Sequence, residues 1–447
     1  MNSFQAGFAR LVITPPLGIN VEGYFVKRYA KEILDDLYVR AVAFSVGGKR
    51  AVIITADIVN VKKRGAIVIK NYVAETLGLD PAAVFFHSTH THTGPLVIEE
   101  HERELERDYF KFVKCKVCDV AALALADLKP AKLGYAESVA KRISFGRRYR
   151  MKDGSVRTNP GVKNPDIVEP VGEVDERVSV IRIDREGADD IALINFATHP
   201  DTIGGEVISA DWPGFVVSTF EAAVGDAKCI LLNGAQGDVN HVNVSPLPGE
   251  ENGLHKDFDD VDRGYEHARH MGRVVAGAAL GVWGKVRYVD VDAIKCAENV
   301  ARVPANIPDP SEIPIAEKYN ALHKAGRDAE IPYEGMMLTT MLARYSRIVR
   351  MQNGPEHFDI PLTALRIGGI AFIGIAGEPF TGIGMALKKV PGFDKVIPCC
   401  LVNGSTGYFP MMDSYTEGGY EAEASSFKAG VAEIIIEEGE KLLESIK

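Results

Sequence analysis

Short apolar, β-branched runs alternate along the chain with polar loops and with longer stretches of helical periodicity. Segments 41–46 and 51–56 flank Gly47-Gly48-Lys49-Arg50, which predicts a β-hairpin. Ala66, Ile69, Val73 and Leu77 fall at helical spacing and predict a helix over 62–79. A strand over 84–86 follows, then a helix over 102–128. Further strands are expected at 191–196, 229–232, 370–375 and 396–402. Helices are expected over 213–224, with proline in the first turn, over 260–281, with a basic and histidine-bearing face, and over 428–443. Such alternation predicts an α/β fold, a largely buried mixed sheet flanked by helices. The stretch 303–349 breaks the pattern by mixing a proline-rich part with helix-like sequence at 315–324 and 336–347. It reads equally as a cap or lid over a site and as further core helix.

Composition narrows the function only mildly. The 447 residues are 46% hydrophobic and 25% charged, as in an ordinary globular protein. A net charge of -10 without a Lys/Arg-rich stripe argues against nucleic acid as a partner. No apolar run is long enough to span a bilayer, so no stable membrane association is expected. The first residues, Met1-Asn2-Ser3-Phe4-Gln5, do not resemble a secretory signal. Six cysteines include Cys115-x-x-Cys118 and Cys399-Cys400 but no second pair at zinc-ribbon spacing, which reads as inert thiols. The expectation is a cytoplasmic protein, with homo-oligomerisation left open.

The candidate chemistry lies where strands end. After the strand at 84–86 comes His87-Ser88-Thr89-His90-Thr91-His92-Thr93-Gly94-Pro95, three of the chain's 11 histidines. If this stretch is extended, His90 and His92 share a face and make a start on a metal site. Four other strands end in residues able to bind metal or donate hydrogen bonds. These are His199-Pro200, the run 233–241 with Asp238, Asn240 and His241, Glu378-Pro379, and Asn403 to Tyr408. In α/β sheets ligands bind beyond the carboxyl ends of strands. Imidazoles and one carboxylate are usual donors of a catalytic zinc, which activates water and polarises an acyl oxygen. Donors for a developing oxyanion would come from Arg147, the remaining histidine, Tyr408 and Tyr420. Asp211, in Ser209-Ala210-Asp211-Trp212-Pro213, reads as a supporting group or a helix cap.

The chain resembles the catalytic domain of the neutral, non-lysosomal ceramidases. The likeness runs in order through Gly7-Phe8-Ala9-Arg10, Ile13-Thr14-Pro15-Pro16, Thr89-His90-Thr91-His92-Thr93-Gly94-Pro95, Gly237-Asp238-Val239, Gly377-Glu378 and the run from Tyr408 to Tyr420-Glu421-Ala422-Glu423-Ala424-Ser425. It implies one catalytic domain over 1–447 with the site at the C-terminal ends of the strands. It also implies Zn2+ held by His90, His199, Glu378 and Tyr408. His92, Arg147 and Tyr420 then match residues that hold the scissile acyl group and its oxyanion. The implied reaction is amide hydrolysis by a zinc-bound hydroxide, with His92, His241 or Asp238 as candidates to carry a proton to the leaving amine. Asp238 is equally a group that orients His90 or His199.

Three departures bear on the substrate. Asn240 stands where the family has an active-site serine, followed by His241 instead of proline, so a serine nucleophile is unavailable and Asn240 becomes a donor to substrate. About twenty residues follow the Tyr420 motif, leaving no room for the family's immunoglobulin-like domain, and no export signal is evident. The expected substrate is therefore a small soluble N-acyl compound. The rival readings are an ester, lactone or phosphoester metallohydrolase, and an inactive relative that binds a metabolite. A two-metal phosphoesterase would want several bridging carboxylates, and this set has few.

Overall fold

The computed structural model describes residues 3–250, 255–256 and 262–447. Its first sheet contains β1 (Gln5–Val12), β2 (Tyr38–Val46), β3 (Lys49–Ala56), β4 (Val84–Ser88), β5 (Lys129–Val139), β6 (Arg177–Arg185), β7 (Asp190–Phe196), β8 (Ala227–Asn233) and β9 (Arg287–Val289). The order is β8-β7-β6-β5-β1-β2-β3-β4, with β9 also paired to β5. The β3–β4 and β7–β8 pairs are parallel, whereas β1–β2, β2–β3, β1–β5, β5–β6, β6–β7 and β5–β9 are antiparallel. Gly47 and Gly48, at φ 59° and 79°, make the β2–β3 turn, and both values fall where glycine alone is unstrained.

A second sheet holds β10 (Ile294–Pro304), β11 (His357–Ile367), β12 (Ile370–Ile375) and β13 (Lys395–Cys399), in that order and with β12–β13 parallel. Side-chain alternation shows how the sheets stack. On β2, Val39, Ala41 and Ala43 join one apolar cluster while Val42, Phe44 and Val46 join another. The second cluster also contains Phe85, Leu193 and Ile230 from the first sheet and Leu365, Phe372 and Cys399 from the second. The two sheets are therefore packed face to face. Helices α1 (Lys63–Leu77) and α2 (Glu104–Ala126) cover one half of the outer face of the first sheet. Helices α3 (Asp211–Val224) and α4 (Tyr265–Trp283) cover the other half.

The resulting layers are helix, sheet, sheet, helix. The mixed α/β architecture expected from the pattern is present, but the strands are apolar on both faces because a second sheet, as well as helices, buries them. Gly7 marks how closely the layers fit, since a Cβ there would lie 2.1 Å from the Ala124 carbonyl oxygen of α2.

The helix expected over 260–281 begins at Tyr265; Asp260 and Val261 lie outside the described residues. The odd stretch after β10 holds α5 (Ile313–Lys324) and α6 (Gly335–Met351), an excursion between two strands that pair directly, with Pro304 opposite His357. These helices share a small apolar cluster of Ala316, Tyr345 and Ile348. Helix α6 leans on α8 (Tyr420–Ala424), where Arg347 Nε donates to the Glu423 carbonyl at 2.8 Å. On the other face of the second sheet lie α7 (Thr381–Leu387) and α9 (Val431–Ser445).

Candidate metal centre

The loops after β4, β7, β12 and β13 meet in one buried pocket. Strand β4 ends at Ser88, and His90 takes φ 77°, so a left-handed turn turns it inward rather than the extended alternation expected from sequence. Its backbone N–H is held by the Ile58 carbonyl at 3.0 Å, and the His92 N–H by the Pro200 carbonyl at 2.9 Å. The hydroxyls of Thr91 and Thr93 both donate to the Ser209 carbonyl. The histidine loop is thus tied to the loop that carries His199. Glu378 stands opposite Tyr408 in a two-residue parallel pairing of Glu378–Pro379 with Tyr408–Phe409.

Three imidazoles converge, with His90 Nε2 at 3.2 Å from both His199 Nε2 and His92 Nε2. Glu378 Oε2 is 3.3 Å from His90 Nε2 and 3.4 Å from His199 Nε2. The other ring nitrogens decide the tautomers. His90 Nδ1 lies 2.7 Å from the Val59 carbonyl and His199 Nδ1 3.2 Å from the Gln236 carbonyl. A carbonyl can only accept, so each Nδ1 carries a proton, and in the neutral ring the Nε2 lone pair turns inward. Two lone pairs 3.2 Å apart repel unless a cation lies between them. Burial, with Arg147, His90 and His92 nearby, pushes the His199 pKa well below the ordinary imidazole value and keeps the ring neutral. Glu378 is held below the usual carboxylate range: burial opposes its charge, but His90, Arg147 and the Tyr408 hydroxyl outweigh it. Its Oε2 is nonetheless buried without a hydrogen-bond partner. Converging imidazoles, of which His199 is neutral, a carboxylate kept ionised and carbonyls that hold the ring Nδ1 atoms fit a zinc-type ion.

Tyr408 borders this cluster, its ring stacked 6.3 Å from that of His199 and its hydroxyl bonded to Glu378 and Arg147. Removal from water and the neighbouring Glu378 raise its pKa, so the protein alone keeps the phenol protonated and only a cation would draw out the phenolate. Arg147 is buried, ion-paired with Glu421 (Nε to Oε1 2.5 Å), and donates to the Gly237 carbonyl at 2.7 Å. Burial works against its charge, but Glu421 and Tyr408 more than compensate. Its guanidinium lies 5.4 Å from the Tyr408 ring centre and 6.0 Å from that of Tyr420. Tyr420 itself starts α8, with its backbone N–H on Thr158 Oγ1 at 3.0 Å.

The remaining candidates sit close by, with different roles. Asn240 is fully buried in a short ladder with Phe145, two residues from Arg147. Its Oδ1 accepts from the Val242 N–H, and its Nδ2 is buried without a partner. Asp238 is committed to α7, accepting from Thr381 N at 2.7 Å and Thr381 Oγ1 at 2.8 Å. It therefore does not orient His90 or His199; the Val59 and Gln236 carbonyls do that. Burial raises its pKa to about 6, with the Thr381 bonds working the other way. His87 stays out of the pocket. It is buried, accepts the Asn233 N–H at 3.1 Å, and burial pushes its pKa down to about 3.

Sequence reasoning missed the partners that set up these groups. Glu421 holds Arg147, and its only signal was an acid beside a motif tyrosine. Arg28 donates to the His92 carbonyl at 2.7 Å, and Tyr24 meets the His92 ring edge-on at 5.3 Å. The Val59 and Gln236 carbonyls leave no signature in residue type.

Beyond the centre, α6 and the loop 156–161 enclose a cleft of about 500 Å³, lined among others by Asn159, Met336, Met337, Met341, Gly418 and Gly419. Gly419, the residue before Tyr420, is part of its lining.

No family model and no curated protein sequence matches the chain. Among solved structures, a neutral ceramidase from Pseudomonas aeruginosa superposes with a TM-score of 0.73 at 16% identity, over 100% of this chain and 75% of that one. A structure described as ceramidase complexed with C2 gives 0.72 at 16% identity, over 100% and 76%. The chain has a neutral-ceramidase-like fold.

Proposed function

We propose that this protein is a zinc-dependent amidohydrolase that cleaves the C–N bond of a small N-acyl substrate. The observation that carries this reading is the set of inward lone pairs on His90 and His199 beside the orphaned Glu378 Oε2. His90, His199, Glu378 and Tyr408 would hold the ion. Bound there, zinc supplies an acidified water, with a pKa of about 7, and polarisation of the acyl oxygen.

The protein's own residues do the rest. Arg147, kept charged by Glu421, and Tyr420 both lie beside the Tyr408 ring and would donate to the oxygen that gains charge as the carbonyl is attacked. His92 orients the acyl group beside the ligand cluster. Asn240 Nδ2, a buried donor with no partner in the protein, is available to a substrate oxygen. The cleft beside Tyr420 receives the part of the substrate that does not react. Its methionines adapt to an apolar group, while Asn159, Glu334 and Glu423 add polar selectivity. Helix α6 acts here as a wall of that cleft. A single carboxylate among the converging donors suits one ion better than the carboxylate-bridged pair of a phosphoesterase.

The test compares zinc in wild type and His90→Ala by elemental analysis, then turnover of soluble N-acyl compounds by wild type and Glu378→Gln. The expected result is that His90→Ala loses about one equivalent of zinc and that Glu378→Gln abolishes turnover. Equal zinc content in the two proteins sinks the proposal.

A further inference from the structure

A second group of histidines lies behind the centre and shares no residue with it. His241 follows Asn240, and His267 and His270 stand three residues apart on α4, hence on neighbouring turns of one face. The ring centres of His241 and His267 are 5.7 Å apart, and those of His267 and His270 are 6.3 Å apart. In the first centre the corresponding spacings are 4.8 to 5.2 Å. All three line one cavity of about 360 Å³.

The hydrogen bonds define what this cavity wants. His241 is buried, and its Nδ1 lies 3.1 Å from Asp201 Oδ1. The carboxylate accepts the Nδ1–H, and Nε2 is buried without a partner among the described residues. A carboxylate behind an imidazole whose other nitrogen is bare is the arrangement that orients metal-binding histidines. His267 Nδ1 is likewise buried and unpartnered. Burial, with His241 and His270 nearby, pushes the His267 pKa down to about 3, so this ring is neutral. The two bare ring nitrogens belong to residues that line one cavity. They suit a borderline transition-metal cation, for which imidazole is a preferred donor. The cations of the lining do not oppose this. Arg142 is neutralised by Glu250 through contacts of 2.5 and 2.6 Å, and Lys141 is exposed. His270 is exposed as well, with its ring centre 6.3 Å from that of His267.

We propose that His241, His267 and His270 form a second site for a divalent zinc-class ion, with Asp201 orienting His241. An ion there ties α4 to the segment 236–241, whose Gln236 carbonyl orients His199 in the first centre.

The experiment is equilibrium dialysis of the full chain, stripped of metal, against Zn2+, repeated with Co2+ to read the ligand field. Wild type, His90→Ala and the double variant His267→Ala/His270→Ala are compared. The double variant changes only side chains on α4 that are half-buried or exposed, and alanine favours the helix. The expected result is two equivalents in wild type. The double variant should keep the first and bind the second at least about tenfold more weakly, as loss of site residues does elsewhere, while His90→Ala keeps the second. Retention of the second equivalent by the double variant overturns the inference, as does a single wild-type equivalent that vanishes in His90→Ala. If His90→Ala loses nothing and the double variant loses metal, this site stands and the proposed amidohydrolase centre falls.

Discussion

At the scale of single residues, His92 is where the chemistry of the first centre is decided. Its Nε2 lies as near to His90 as that of His199, so proximity alone would make it a ligand. A role toward the substrate predicts that His92→Ala keeps its zinc and loses about 10²–10³ in kcat, with little change in KM. Parallel loss of zinc would make it a ligand instead. Asp211 offers a prediction about stability. It is fully buried at φ 55°, and burial raises its pKa to about 6 from 3.8, against the hydrogen bonds from Ile203 and Trp212. The folded state thus holds this proton more tightly than the unfolded chain. The favourable contribution is complete below pH 4 and is lost as pH rises through 6. Relative to Asp211→Asn, wild type should therefore lose up to about 3 kcal/mol between pH 4 and pH 7, as read from urea unfolding. An offset that does not move with pH would contradict it. The sequence showed which residue types gather at strand ends, including His90, His199 and Glu378. It could not show Val59 or Gln236, because a backbone carbonyl is the same in every residue.

At the scale of elements, close packing makes the sharpest demand at Gly7. Gly7→Ala must push β1 from α2, since the new methyl would meet the Ala124 carbonyl oxygen at 2.1 Å. The expected cost is about 1–3 kcal/mol, measured by chemical denaturation, and an unchanged midpoint would show that the two layers have slack. Most helices and the β2–β3 hairpin were legible from periodicity because each buries one coherent face. The strand expected over 396–402 in fact stops at Cys399. Leu401 and Asn403 take φ 50° and 54°, and this turn carries the chain back toward β4, where Asn403 bonds Phe86 and Val84. Such a turn depends on contacts more than 300 positions away in sequence, which no local pattern contains. The pairing of Glu378 with Tyr408 was invisible for the same reason, being only two residues long.

At the scale of the whole molecule, sequence pattern predicted an α/β fold but not two sheets. A strand covered by helices and one covered by another sheet read alike, because both are apolar on both faces. The four-layer stack closes only when loops from both sheets meet at the centre, so an ion there should stabilise the entire fold. If the centre holds zinc, an ion bound by the folded chain alone adds about 2.7 kcal/mol at one hundred times its dissociation constant. Chelation should lower Tm and added zinc should restore it; a Tm indifferent to both would mean the native protein holds no ion. The same wiring also sets a schedule for synthesis. His90 leaves the ribosome about 290 residues before Glu378, roughly 15 to 60 seconds at ordinary translation speeds. During that interval β4 can pair with β3, but the loop with Asn403 and the Glu378 carboxylate are still to come. An ion whose ligands include Glu378 would load only after that interval.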